Sequence, residues 1–186
     1  MSRLGTRPID VPDGVTVTVT PEQLSVKGPK GELTQKMRPE ITIAVDADTK
    51  SALVSRVDDS RTAKSMHGLY RSLLQNMVVG VTQGYERALT IVGTGYRVEL
   101  KGKTLHVQAN FGHAVTYDAP EGVEIEVPKA TSREQMDFIV RGLDKQKVGE
   151  AAAQLRRIRP PDLYKGKGIR YKDENVRKLE GKSFGS

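Results

Sequence analysis

The chain has 186 residues, of which 37% are hydrophobic and 28% are charged, and it carries a formal net charge of +7. This length and composition suit one large or two small domains with a packed core. Because the chain lacks cysteine, disulfides and thiolate metal sites are excluded. It lacks the ~20-residue apolar run of a membrane helix, and its opening, MSRLGTRPID, lacks the apolar stretch of a signal peptide. These features predict a cytoplasmic protein with no membrane partner.

The positive charge is concentrated near the end of the chain. Residues 156–186 hold ten Lys and Arg against four Asp and Glu, which places +6 of the net +7 in this segment. Residues 1–155 are therefore nearly neutral. Such an asymmetry predicts a polyanionic partner.

Two stretches of the sequence resemble each other. The first, LSVKGPKGELTQKMRPEITIAV, begins at Leu24, and the second, LHVQANFGHAVTYDAPEGVEIEV, begins at Leu105. Both alternate apolar and polar residues and then turn at glycine or proline, which is the pattern of half-buried antiparallel strands. A repeat of about 80 residues is too long for a solenoid. The sequence therefore predicts the tandem duplication of a small domain.

A helical pattern follows the strands in each unit, with one apolar stripe along each predicted helix. The stripes are Ala63, Met66, Tyr70, Leu73 and Met77 in the first unit, and Val148, Ala151, Leu155 and Ile158 in the second. Asp59 or Ser60 is the expected N-cap of the first helix, and Asp144 is that of the second. Pro160 and Pro161 are expected to end the second helix.

The predicted fold class is α+β, with two tandem homologous domains. Each domain is a mainly antiparallel β-sheet packed with one long α-helix, over residues 1–82 and 83–159. An extended basic C-terminal tail, residues 160–186, is expected to lie outside both domains. We therefore expect the domains to stay folded when the chain is cut at Pro160.

The polar side of the first predicted helix carries Lys64, His67, Arg71 and Gln75 at i, i+3, i+7 and i+11. An ordinary solvated helix face accounts for these residues. The functional alternative is a second, weaker surface that contacts phosphates, in which His67 is a hydrogen-bond donor rather than a catalyst. The sequence leaves both interpretations open.

The segment GTGYR, residues 93–97, lies between two stretches of strand pattern. Its glycines predict a bend or bulge. A dinucleotide-binding fingerprint needs a third glycine and a following helix, and neither is present. The simpler interpretation of this region is a hairpin at KGK, residues 101–103. We favour a loop whose bare backbone meets RNA, with Tyr96 and Arg97 as contacts.

The segment PPDLYKGKGIRY, residues 160–171, combines basic residues with glycines and tyrosines and has little apolar periodicity. Its basic residues neutralise phosphates, and Gly166 and Gly168 let the backbone approach a surface closely. Tyr164 and Tyr171 are able to stack on bases or to hydrogen-bond to riboses or phosphates. The alternative is a disordered basic tail that only promotes solubility. Because the chain shows no helix-turn-helix or basic-zipper pattern, RNA is a better candidate than DNA.

No catalytic constellation can be assembled from the sequence. There is no cysteine nucleophile and no Gly-x-Ser-x-Gly elbow. The three histidines, His67, His106 and His113, show no ligand-like spacing. The sequence therefore predicts neither an enzyme nor a metal or cofactor site.

PPDLYKGKGIRY closely resembles the C-terminal signature of the bacterial form of protein six of the large ribosomal subunit. The opening, MSRLGTRPIDVP, and the centre, TAKSMHGLYRSLLQNMVVGVTQGYERALTIVGTGYR, are similar to the corresponding parts of that family. The similarity covers essentially the whole chain, and residues 161–168 are its most specific part. Thr6 stands where the family often has Lys, and Asn110 and Ala114 replace a usual Gly and Pro.

The resemblance implies two similar α+β domains and binding to large-subunit (23S) ribosomal RNA, mostly through the C-terminal half. It implies a location near the stalk base and the sarcin–ricin loop, beside neighbouring ribosomal proteins and where translation factors act. The predicted function is therefore a structural constituent of the large subunit that supports translation and subunit assembly. The alternative is a free cytoplasmic enzyme or a protein-binding adaptor with a basic docking tail.

The residues predicted to contact ribosomal RNA lie on the first helix, in the glycine loop, at the end of the second helix and in the tail. They are Lys64, His67, Arg71, Gly93, Thr94, Gly95, Tyr96, Arg97, Arg156, Arg157, Arg159, Tyr164, Lys165, Gly166, Lys167, Gly168, Arg170, Tyr171, Lys172, Arg177 and Lys178.

Overall fold

The computed structural model describes residues 5–46, 50–109, 112–128 and 134–181. Asn110 lies outside these residues. The chain divides into two compact units. The first runs to Tyr85 and includes Leu143–Lys145, and the second comprises Glu86–Gly142 and the chain from Gln146 onward.

The first unit is formed by antiparallel strands and one helix. Its elements are β1 (Ile9–Asp10), β2 (Thr16–Val19), β3 (Gln23–Gly28), β4 (Gly31–Lys36), β5 (Ile41–Asp46), β6 (Ser51–Arg56) and α1 (Arg61–Thr82). The strands form two three-stranded sheets, in the orders β1-β6-β5 and β2-β3-β4. Helix α1 packs against β1, β3, β4, β5 and β6, so the core lies between the helix and the strands.

Helix α1 begins after Ser60, whose hydroxyl accepts a hydrogen bond from the backbone N–H of Ala63 at 3.1 Å. This cap satisfies one of the N–H groups that the first turn leaves unpaired. On the buried side of the helix, the Tyr70 hydroxyl donates to the Lys36 carbonyl at 2.7 Å. Hydrogen bonds thus fix the start of the helix to Ser60 and its centre to strand β4.

The second unit repeats this arrangement and adds one strand. Its elements are β7 (Tyr85–Val92), β8 (Arg97–Lys101), β9 (Thr104–Gln108), β10 (Val115–Asp118), β11 (Val123–Glu126), β12 (Gln135–Gly142), α2 (Lys145–Ile158) and β13 (Gly168–Tyr171). The sheets have the orders β10-β9-β8 and β11-β12-β7-β13. Helix α2 ends two residues before Pro160 and buries Val148, Ala151, Ala152 and Leu155.

The predicted duplication is confirmed by the order of the strands. The order β1-β6-β5 in the first unit reappears as β7-β12-β11 in the second, and β2-β3-β4 reappears as β8-β9-β10. Leu24, Val26, Leu105 and Val107, which the repeat aligns, are all fully buried. The predicted hairpin at residues 101–103 is also present, because Lys101 pairs with Thr104 across a two-residue turn. Neither described helix is long and apolar enough to cross a lipid bilayer.

The prediction of an extended tail outside the domains is wrong for residues 168–171. These residues form β13, which pairs antiparallel with β7 at the edge of the four-stranded sheet. Ile169 pairs with Ile91 and is fully buried. The sequence showed too few apolar residues here to suggest a strand, but an edge strand needs only one residue in the core when its backbone completes a ladder.

Candidate nucleic-acid interface

The structure brings three predicted segments together in the second unit: the end of α2, the loop 93–96 between β7 and β8, and the turn 160–167. Gly168 pairs with Val92, the last residue before the loop. The ammonium group of Lys167 donates to the Thr94 hydroxyl at 3.3 Å. The Ile169 N–H donates to the Arg159 carbonyl at 2.7 Å, which ties the end of α2 to the start of β13.

The turn 160–167 is folded around Asp162. The Asp162 carboxylate accepts a hydrogen bond from the Lys165 N–H at 2.8 Å, and its carbonyl accepts one from the Gly166 N–H at 2.9 Å. The Asp162 N–H donates in turn to the Lys167 carbonyl at 2.8 Å. These bonds hold Tyr164 and Lys165 at the exposed tip of a defined turn, so the segment is not a disordered tail.

The glycines of this turn serve internal packing. Gly168 has a φ of +142°, and a Cβ atom there would lie 2.6 Å from the Pro160 carbonyl oxygen. A Cβ on Gly166, whose φ is +68°, would lie 3.2 Å from Cε of Lys178. Both residues are buried, and their missing side chains make room for other parts of the protein. A close approach of this backbone to a partner stays a prediction.

The glycine loop places Tyr96 in the interior. Tyr96 is only 7% exposed, and a Cβ on Gly93, whose φ is +154°, would lie 2.9 Å from its ring. The Tyr96 ring fills the space that Gly93 leaves open, so Tyr96 has a packing role, and its direct contact with RNA stays a prediction. Thr94 and Gly95 are the exposed residues of this loop, and Arg97, the first residue of β8, is exposed beside it.

Glu174 connects the end of α2 to the residues that follow β13. Its carboxylate accepts hydrogen bonds from Nε of Arg156 at 2.8 Å, from Nη2 of Arg156, and from the Tyr171 N–H at 3.1 Å. The bonds from Arg156 and the nearby guanidinium charge hold the pKa of Glu174 below its usual value, despite the opposing effect of partial burial. Arg156 is therefore an internal anchor whose Nε and Nη2 are engaged by Glu174, and its contact with RNA stays a prediction.

Lys172 and Tyr171 are also engaged within the second unit. Lys172 forms an ion pair with Asp137 at 3.4 Å, and Asp137 accepts a hydrogen bond from the Thr90 hydroxyl at 2.7 Å. Burial raises the pKa of Asp137, but the bonds from Thr90 and Lys172 outweigh it and the net shift is downward. The Arg87 guanidinium lies 5.8 Å from the centre of the Tyr171 ring. Both predicted contacts therefore have partners inside the protein.

Several of the predicted basic residues form no ion pair with any acidic residue in the described part of the chain. They are Arg97, Arg157, Lys165, Arg177 and Lys178, all exposed. Lys167 and Arg170 are half-buried beside them. This set concentrates uncompensated positive charge on the second unit, as a surface that binds a polyanion requires.

The residues that the sequence predicted on one polar face of α1 do not all lie on that face. His67 is 4% exposed and therefore does not lie on that face, contrary to expectation. Its Nε2 donates to the Val54 carbonyl at 2.9 Å, which leaves Nδ1 to accept from Nη1 of Arg56 at 3.3 Å. The buried side of α1 runs through Ala63, His67 and Tyr70, at i, i+4 and i+7, so His67 belongs to the core stripe.

Lys64 and Arg71, the other two predicted RNA contacts on that face, differ in exposure. Lys64 is exposed and lies 3.9 Å from Asp59. Arg71 is half-buried, and its Nε is enclosed without a hydrogen-bond partner in the described residues. Within the same residues, no three His, Asp or Glu side chains are grouped as metal ligands.

Comparison with known proteins assigns the chain to a family. The family described as "Ribosomal protein L6" matches residues 11–84 and 92–172. The chain belongs to the ribosomal protein L6 family. The two matched segments correspond to the two copies of the duplicated domain, and the second includes β13. The resemblance found in the sequence is thus confirmed, as is the prediction of a ribosomal protein rather than an enzyme.

Curated relatives match over nearly the full length of the chain. A "Large ribosomal subunit protein uL6" from Roseiflexus sp. (strain RS-1) is 48% identical over 185 residues, covering 98% of each chain. The protein of the same name from Listeria welshimeri is 48% identical over 183 residues, covering 98% of this chain and 99% of the relative. That from Natranaerobius thermophilus is 47% identical, with the same coverage.

Sequence reasoning missed the acidic residues that shape this surface. Asp162 organises the turn, Glu174 anchors Arg156, and Asp137 holds Lys172. The spacing of Asp162 three residues before Lys165 is a signal of a side-chain-capped turn that was available in the sequence. No comparable signal marks the pairing of Glu174 with Arg156 or of Asp137 with Lys172, because the two members of each pair are distant in the chain.

Proposed function

We propose that this protein binds large-subunit ribosomal RNA through the second unit, near the stalk base and the sarcin–ricin loop, in the large subunit of the cytoplasmic ribosome. One observation carries the proposal: a rigid turn and the end of α2 converge on one sheet edge, in a unit where several exposed basic residues form no ion pair with a described acidic residue. Each cation placed against a phosphate releases condensed counterions, which drives binding without base specificity.

Rigidity supports this role. The hydrogen bonds of Asp162, the ladder between β13 and β7, and the bonds of Glu174 fix the backbone that carries the basic residues. A surface ordered before binding loses little conformational entropy when it docks. The sheets of the second unit support the backbone of this surface. Lys64 on α1 remains a candidate for a weaker phosphate contact.

The family resemblance supports the proposed location near the stalk base, and it also supports neighbouring ribosomal proteins and nearby translation factors as proposed partners. Crosslinking from Lys165 and Tyr164, both exposed, to ribosomal RNA within isolated large subunits tests it. Crosslinks in the RNA around the sarcin–ricin loop are expected. Crosslinks confined to a distant RNA domain would contradict the location while leaving RNA binding intact.

RNA binding itself is tested with the full-length protein and protein-free large-subunit RNA. Lys165→Ala should weaken binding modestly and lower the slope of log affinity against log salt by about one unit, because one phosphate contact is lost. The matched control is Lys36→Ala, an exposed lysine on β4 of the first unit, which should leave the slope unchanged. Equal effects of the two variants would refute the assignment.

The alternative, an adaptor with a docking tail, makes a different prediction for native lysates. A ribosomal protein should sediment with large subunits after a moderate salt wash, whereas an adaptor should remain in the light fractions.

A further inference from the structure

The three tyrosines of the proposed interface differ in how much of the ring is available. Tyr96 is 7% exposed against Gly93. Tyr171 is half-buried with Arg87 beside its ring. Tyr164 is 61% exposed, and no described residue hydrogen-bonds to its hydroxyl. Only Tyr164, among these three, offers an open aromatic surface.

Two exposed leucines are near Tyr164 along the backbone, one as its sequence neighbour and one through a hydrogen bond to that neighbour. We call these three residues the apolar cluster. Leu163 is 52% exposed and Leu179 is 41% exposed. The Leu179 N–H donates to the Leu163 carbonyl at 2.9 Å, so the two chain segments run side by side. This hydrogen bond fixes the backbone of the apolar cluster, and exposed apolar residues gathered on an ordered backbone are a candidate binding surface. Contacts with the phosphates of an RNA duplex do not require exposed apolar side chains.

Cations border this apolar cluster. Lys165 follows Tyr164, and Lys178 precedes Leu179, with its aliphatic stem next to Gly166. Two acidic residues also adjoin the cluster in sequence: Asp162, whose carboxylate accepts from the Lys165 N–H, and Glu180. An apolar surface bordered by lysines matches a nucleotide, which has an apolar base face and an anionic phosphate.

We propose that Leu163, Tyr164 and Leu179 form a stacking platform for an unpaired nucleobase of the ribosomal RNA, with Lys165 and Lys178 placed at the adjoining phosphates. The inference rests on the proposed function and names the element that is recognised: a nucleotide outside the helical stack. Proteins that read unpaired RNA commonly stack a base on an exposed aromatic ring.

The test measures binding of full-length protein to protein-free large-subunit RNA across a range of KCl concentrations. Tyr164→Ala should weaken binding by about 5-fold to 150-fold, the range for loss of one stacked base, with an unchanged salt slope. Tyr164→Phe should bind like the parent, because it keeps the ring. Leu163→Ser should weaken binding, whereas the control Leu53→Ser, at a site 46% exposed on β6 of the first unit, should not.

Chemical probing of the RNA locates the base. A nucleotide whose 2′-hydroxyl acylation is suppressed by the parent protein should regain reactivity with Tyr164→Ala and stay protected with Tyr164→Phe. Equal binding and protection by the parent and Tyr164→Ala would overturn the platform while leaving RNA binding in place. Loss of affinity in Tyr164→Phe would assign the contact to the hydroxyl and also overturn it. Failure of the parent protein to bind the RNA would overturn the proposed function and the platform together.

Discussion

Ending the chain after Arg159 tests whether the C-terminal segment is part of the second unit's fold. The truncation removes β13, which forms four register pairs with β7. It also removes Ile169, which is fully buried, and Glu174, which anchors Arg156. From the sequence we expected the domains to stay folded after this cut, whereas the structure leads to the opposite expectation for the second unit.

The expected loss can be estimated from these contacts. Four ladder pairs provide about four backbone hydrogen bonds, each worth about 0.5–1.5 kcal/mol net. Burial of Ile169 adds about 1.5–3 kcal/mol. Their combined loss of about 4–9 kcal/mol is comparable to the total stability of a small domain, which is about 5–15 kcal/mol. The second unit should therefore be partly or wholly unfolded without β13.

Hydrogen exchange measured by mass spectrometry resolves the two units in one experiment. Peptides from β7 and β12 should lose protection in the truncated chain, while peptides from α1 and β3 should keep it. A chain that ends at Gly181 retains β13 and is the matched control. Unchanged protection of β7 in the chain that ends at Arg159 would refute the reasoning and restore the interpretation of a dispensable tail.

Two further predictions concern one buried or partly buried polar residue in each unit, Glu174 in the second and His67 in the first. Glu174→Gln should lower the free energy of unfolding by about 1–2 kcal/mol at neutral pH, because a partly exposed, bidentate charged pair is lost. Since the pKa of Glu174 in the folded state is below its ordinary value of 4.5, the stabilisation is present above that value and is lost as the pH falls through the folded-state pKa. Denaturant titrations at several pH values should therefore converge for parent and variant in acid, and a constant difference would contradict the assignment. His67→Ala should destabilise the first unit by about 2 kcal/mol through the lost bond to Val54 and the cavity left behind, without changing RNA affinity. A variant with unchanged stability and weakened RNA binding would contradict this role and indicate that His67 contacts RNA.

The interface illustrates where prediction from the sequence stopped. Charge and composition correctly placed the basic residues at the end of α2 and after it. They did not separate exposed cations such as Lys165 from cations held by an acid, such as Arg156 and Lys172. That separation depends on Glu174, 18 residues from Arg156, and on Asp137 in another strand. Pairing across such distances leaves no periodic signal in the sequence.

The sequence by itself determined the alternation that buries Leu24 and Leu105, the tandem duplication, and the end of α2 before Pro160, because these depend on local backbone geometry and on the periods of strand and helix. Only the tertiary structure decided that His67 and Tyr96 point inward and that Ile169 completes a sheet. Those outcomes depend on which surfaces come into contact when the elements pack. The local pattern of residues does not determine these contacts.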